Sequence, residues 1–199
     1  MHLRTLATAA TLFLAPMPAL AQHAGGAEPS GGVRAPQEAR QYEWMMGQWE
    51  LEVTPQVSGL AARIHGAPKL GGTWKVWKGM EGWGVEDELR VVDASGNPRM
   101  LSHALRVYDR ESKRWKHVAV DVYKGVVTQS TATWDGSAMV VAGQGTDDEG
   151  KAYISRGRFS EITPTSFKYR LDRSYDQGKS WTDGVTTIVA KRTAATAPR

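Results

Sequence analysis

From Trp49 onward the chain alternates apolar and polar side chains with period two, and clusters of turn-forming residues interrupt the alternation at short intervals. That pattern selects half-buried strands over amphipathic helices, because successive side chains of a strand point to opposite faces. Trp49, Leu51 and Val53 alternate with Glu50 and Glu52. Val85, Leu89 and Val91 alternate with Glu86, Glu88 and Arg90. Further strands are expected over Thr73 to Trp77, Met100 to Tyr108, Trp115 to Tyr123, Val126 to Trp134, Ser137 to Gly143, Tyr153 to Ile162, Phe167 to Tyr175 and Trp181 to Arg192, about ten in all. The links are hairpin-length: Ala94-Ser95-Gly96-Asn97-Pro98, Asp109 to Arg114, Lys124-Gly125, and Asp135-Gly136 as a two-residue hairpin signal.

Consecutive hairpins without crossover helices make an antiparallel up-and-down meander. A long open meander exposes two edges, and closure into a barrel removes them. The expectation is therefore an all-β chain closed into a barrel, with a two-sheet sandwich as the alternative. Greek-key links usually need longer connections than these. The one long connection, Thr54 to Gly72, would lie over a barrel mouth. A single short helix is expected over Pro36 to Met46, where Pro opens a run of helix formers and Gly47 ends it.

Met1 to Ala21 reads as a secretory signal, with Arg4, an apolar stretch from Leu6 to Ala15, and Ala19-Leu20-Ala21 as a small-x-small cleavage site. The apolar run is too short to span a bilayer as an anchor. Residues 22–36 read as a flexible leader rich in Gly, Ala, Pro and Ser, 37–192 as the folded domain, and 193–199 as a tail. The expected location is the periplasm or the exterior, with no membrane span after cleavage. The chain has no cysteine, which excludes disulfides, thiolate zinc sites, a cysteine nucleophile and a lipid-modified N-terminal Cys. A formal net charge of +4 over 199 residues does not indicate a nucleic-acid partner.

A short helix running into Gly47-Gln48-Trp49 resembles the G-x-W signature of lipocalins and other calycins. Trp44-Met45-Met46-Gly47-Gln48-Trp49, the strand holding Asp121 with its hairpin at Asp135-Gly136, and Ser174 to Trp181 are similar to the bacterial family known as domain of unknown function 1579. The resemblance implies a lipocalin-like barrel in which Trp44 and Trp49 plug the closed end, and it carries no catalytic residues to transfer. Ser174-Tyr175-Asp176-Gln177-Gly178-Lys179-Ser180-Trp181 matches the Asp-box pattern of sialidase propellers. One copy on about ten strands is read as a local turn: Asp176 accepts backbone N–H groups, Gly178 supplies a positive φ and Trp181 packs beneath. Trp134 and Trp181 are expected to lock hairpins.

Alternation also nominates inward-facing groups. Asp87 falls among Val85, Leu89 and Val91, and His103 among Leu101, Leu105 and Val107. In 115–123 two faces compete: Val118, Val120 and Val122, or Trp115, His117, Ala119, Asp121 and Tyr123. The second is preferred as the inner one, because Lys116 shares the valine face. Counting from the 109–114 connection, His103 pairs with Asp121, or with Ala119 and Asp121 diagonal; both put the two on one face. The odd register between these pairs His103 with Val120 and moves Asp121 outside. Trp74, Trp77 and Trp83, interleaved with Gly72, Gly79, Gly82 and Gly84, read either as barrel filling or as an aromatic lip at the mouth.

The polar set Asp87, His103, His117 and Asp121 admits three readings. Its members satisfy one another as buried structure, or fix a ligand in a pocket, or, by residue type alone, form a catalytic or metal site. No metal-ligand, Walker A, dinucleotide, G-x-S-x-G or H-E-x-x-H motif occurs, so neither metal nor cofactor is expected. The leading expectation is a non-enzymatic barrel binding a small apolar or aromatic molecule through Trp74, Trp77, Trp83, Asp87, His103, Trp115, His117, Asp121 and Tyr169. The alternatives are an isomerase or lyase with His103 as base and Asp121 orienting it, and a fully packed interaction module. Arg156, Arg158, Lys168 and Arg170 alternate outward on late strands, a solvated basic face or a surface for an anionic partner.

Overall fold

The ten expected strands form one closed antiparallel barrel in the computed structural model, which describes residues 34–57, 64 and 66–193. The strands are β1 (Gly47–Pro55), β2 (Leu70–Gly79), β3 (Gly84–Val92), β4 (Pro98–Asp109), β5 (Arg114–Asp121), β6 (Val126–Trp134), β7 (Met139–Thr146), β8 (Ala152–Ser160), β9 (Ser166–Ser174) and β10 (Thr182–Arg192). Each pairs with its sequence neighbours, and β1 closes on β10 from Trp49↔Arg192 to Pro55↔Thr186, so neither is a free edge. The expected signal segment, most of the leader and nearly all of the tail lie outside the described residues. So does the centre of the long connection; its ends belong to β1 and β2.

The N-terminal helix is a 3-10 helix, Gln37–Met45. Its apolar residues Ala39, Tyr42 and Met45 recur every third position, and a three-residue turn places such a series on one face. Tyr42 and Met45 are fully buried in the closed end of the barrel. Trp49 is buried beneath them, its Nε1 donating to the Met45 carbonyl at 2.7 Å. Arg192 closes the plug from β10: its guanidinium lies 4.1 Å from the Trp49 ring centroid and donates to the Trp44 and Met46 carbonyls. Trp44, Trp49, Trp74, Phe159 and Phe167 pack as tilted and edge-to-face pairs around this floor.

Hairpin parity assigns the two ends. The connections at 80–83, 110–113, 135–138 and 161–165 share the helix end, and those at 93–97, 122–125, 147–151 and 175–181 form the open end. Five connections begin with an aspartate whose carboxylate accepts backbone N–H groups of its own turn: Asp93, Asp109, Asp121, Asp135 and Asp147. Asp135-Gly136 lies in a four-residue connection rather than a two-residue one, with Asp135 N–H donating to Ala138 O. The Asp-box is a turn of the same kind. Asp176 accepts from Ser180 N–H at 2.9 Å, Gly178 stands at φ 87°, and the hydrogen bonds from Ser180 hold the Asp176 carboxyl down at about 2.

The outward basic residues are neutralised in place. Arg156 and Arg170 both clamp Asp172, at 2.8 and 2.7 Å, and both reach Asp183; Arg158 pairs with Asp135 and Lys168 with Glu161. This ion-pair lattice offers little uncompensated charge to an anionic surface.

Candidate functional site

Above the aromatic floor the barrel interior carries buried charge. Asp87 on β3 and Arg106 on β4 form an ion pair with both side chains nearly inaccessible, and Trp74 Nε1 donates to the other Asp87 oxygen at 2.7 Å. Arg106 also lies over the Tyr42 ring, 5.4 Å from its centroid. Burial pushes the Tyr42 hydroxyl up to about 12 and raises that of Tyr169 as well, so both remain neutral. Trp115 is fully buried and donates to Gln41 Oε1 at 3.0 Å.

Arg106 corrects the expected face of β4. Ala104 and Arg106 point inward, and Leu101, Leu105, Val107 and His103 point outward. The physical reason is the aromatic filling of the floor: the interior admits a small Ala and needs a cation for Asp87, whereas the leucines share the outer face with Val118 and Val120. The β4–β5 register is the odd one, His103↔Val120 and Ser102↔Asp121. It moves His103 outside and leaves Asp121 inward, the reverse of what the sequence count attached to that register. His103 stands beside Trp77, its Nε2 3.4 Å from Glu86 Oε2. His103 and Asp121 are therefore on opposite faces of the sheet and cannot act as base and orienting acid.

The aromatic lip is corrected too. Trp77 and Trp83 flank the β2–β3 hairpin at the closed end, Trp77 on the outer face and Trp83 under the Arg110 guanidinium, while Trp74 belongs to the core. In β5 the preferred face is the inner one: Trp115, His117, Ala119 and Asp121 face in, and Val118 and Val120 are exposed. Of the nine expected ligand contacts, Trp74, Asp87, Trp115 and Tyr169 are structural core, His117 lies at mid-barrel and Asp121 reaches the mouth.

Inward positions line up in one row across six strands through the registers Arg106↔His117, His117↔Ser130, Ser130↔Gly143, Gly143↔Ser155 and Ser155↔Arg173, polar at every member but Gly143, which has no side chain. His117 Nδ1 is 2.8 Å from Ser130 Oγ, and its buried Nε2 has no hydrogen-bond partner among the described residues. Burial, and secondarily the charge of Arg106, depress the His117 pKa to about 3, so the ring is neutral across the physiological range.

Beyond this row, toward the open end, lies a cavity of about 1210 Å³. Ala119, Thr128, Tyr153 and Arg173 contribute to its wall and Met100, Asp121 and Lys124 to its rim. A missing piece of ladder gives it a lateral opening. β6 and β7 pair only from Trp134↔Met139 to Ser130↔Gly143, whereas β5–β6 pairing continues to Asp121↔Val126 and β7–β8 pairing to Thr146↔Ala152. Residues 126–129 and 144–146 thus have a strand on one side and the cavity on the other. The lining mixes hydroxyl, amide and charged groups with apolar ones, more polar than the expected pocket. The sequence reading missed Arg106, Arg173 and the β6–β7 gap; an arginine on an inward-alternating position of β9 was the available signal for Arg173. Among the described residues no group of three or more His, Asp or Glu is placed to hold a metal ion, and no helix is long and apolar enough to cross a membrane.

No protein-family model matches the sequence, and no curated protein matches it. Solved structures do resemble it in shape. The S-type phycobiliprotein lyase CPES from Guillardia theta superposes with a TM-score of 0.52 at 12% identity, over 79% of this chain and 93% of its own. EF1p2_mFAP2b, solved bound to DFHBI, gives a TM-score of 0.40 at 11% identity over 78% and 98% of the two chains. The redesigned β-barrel mFAP0, also bound to DFHBI, gives 0.38 at 8% identity over 75% and 99%. At 12% identity the likeness to the lyase is one of fold alone.

Proposed function

We propose that this chain is an exported, calycin-type barrel of the domain of unknown function 1579 family that binds a small molecule with an aromatic or apolar body, without transforming it. The observation that carries the reading is the cavity of about 1210 Å³ above a packed aromatic floor. It exceeds the roughly 300 Å³ at which pockets for drug-sized ligands begin, and its lateral gap supplies a route of entry. Export is supported by the Met1 to Ala21 pattern, and family membership by the Trp44 to Trp49 and Ser174 to Trp181 stretches.

The test is equilibrium binding of phenylnaphthylamine, a neutral aromatic probe that brightens in apolar surroundings, to the wild-type protein and to Ala119→Trp. Ala119 is a small, inward, half-buried residue of the cavity wall, and an indole there occupies the space a ligand needs. Saturable wild-type binding that the substitution abolishes supports the reading. No saturable binding, or binding indifferent to the substitution, refutes it.

A further inference from the structure

We infer that the molecule held in the open-end cavity is an organic anion, its oxyanion head received by Arg173 and its body lying in the remaining volume. The inference rests on the cavity being a binding site and adds the chemical class of its occupant.

Arg173 projects inward from β9 at the end of the polar row and lines the cavity. Its guanidinium is held over the Tyr153 ring, 4.2 Å from the centroid, and Tyr153 in turn meets Tyr175 edge-on at 6.0 Å. Gly145 makes that arrangement possible: a Cβ there would stand 2.6 Å from Tyr153 Oη, so any other residue would push the ring off strand β7. The guanidinium is therefore pre-positioned, while its buried Nε has no hydrogen-bond partner among the described residues. Proteins rarely leave such a donor unpaired, and a planar guanidinium fork matches the two oxygens of a carboxylate, sulfonate or phosphate ester.

The other charges around the cavity are already committed. Asp121 caps the β5–β6 turn through Tyr123 and Lys124 N–H, Asp147 caps the β7–β8 turn through Glu149 and Lys151 N–H, and Asp148 pairs with Lys124 at 3.0 Å. Arg173 forms no ion pair among the described residues, and the Asp147 carboxylate, held by its own turn, lies near enough to feel its charge. A small hydrated anion alone would satisfy the arginine but not fill a space of this size, so the occupant carries both a head and a body.

Two matched probes separate this inference from the reading beneath it. Anilinonaphthalene sulfonate and phenylnaphthylamine share one ring system and differ by the sulfonate. Arg173→Gln is expected to weaken the sulfonate probe by about tenfold or more and the neutral probe by less than about threefold, as loss of a charge-assisted contact requires. Arg173→Lys should fall between, keeping the charge but not the fork. Equal losses for both probes, or an unchanged sulfonate affinity, overturn the inference while leaving ligand binding intact. Wild-type protein that binds neither probe overturns both. Should Arg173→Gln fail to fold, competition on the wild type decides: naphthoate is expected to displace the sulfonate probe well below the concentration at which naphthylmethanol does, and equal potency refutes an anion site.

Discussion

His117 couples stability to pH through its position in the polar row. Desolvation first, and the neighbouring Arg106 charge second, hold its pKa at about 3 in the folded protein, against about 6.5 for an exposed histidine. Between these values the unfolded chain carries a proton that the folded chain refuses. Stability therefore rises with pH across this window and is lost as pH falls below 6.5. Integrating that difference from pH 7.5 to pH 5 gives about 2 kcal/mol lost to this one ring. His117→Gln keeps a partner for Ser130 Oγ and removes the titration. Urea unfolding followed by tryptophan fluorescence, run on both proteins at pH 7.5, 6 and 5, isolates the effect as the difference between them. Relative to the wild type, the variant should gain about 2 kcal/mol on going from pH 7.5 to 5, whatever the two stabilities are at the upper pH. A difference constant within about 0.5 kcal/mol across that range would falsify the account of His117 as a buried neutral ring.

The Asp87–Arg106 pair should behave as a buried ion pair does. Arg106→Met is expected to cost about 3–5 kcal/mol, or roughly 6–20 °C in melting temperature for a domain of this size, and Asp87→Leu combined with Arg106→Met should recover most of it. Full recovery is not expected, because Trp74 Nε1 then loses its acceptor, at about 1 kcal/mol. A double variant no more stable than the single one would show that the pair is not what its burial implies. Hydrogen exchange tests the β6–β7 gap: amides in 126–129 and 144–146 that face the cavity should exchange well before those of 130–134 and 139–143, and uniform protection along both strands would close the proposed opening.

The barrel was legible because its evidence is local. Alternation, hairpin-length links and a Gly-x-Trp after a short helix each occupy a few residues. The inner face of β3 was legible for the same reason, since Val85 and Val91 flank a single Asp87. Two features were readable but not read. Counting hairpins from the N-terminal helix puts 80–83 at the closed end, which already forbids a lip at the mouth built from Trp77 and Trp83. The aspartates at 93, 109, 121, 135 and 147 open five connections, and that recurrence marks Asp121 as a turn cap as well as a cavity residue.

β4 shows where local pattern stops. Its leucines alternate as an inner set would, yet they lie outside, and the arginine between them is buried. Period-two alternation states which residues share a face; it is unchanged when the strand is turned over. What turned β4 was a partner elsewhere in the chain, since an inward Asp87 with no cation would bury an unpaired charge.

By itself, then, the sequence determined strand number, antiparallel order and closure, because these follow from side-chain period and connection length; the plugged end was implied by the resemblance at Trp44 to Trp49. Tertiary structure alone decided which face of β4 is inside, where the β6–β7 ladder ends, and that Arg173 reaches the cavity with its Nε unpaired among the described residues. Those outcomes depend on pairings and space between residues far apart in sequence, and no local window of the chain contains both members of such a pair.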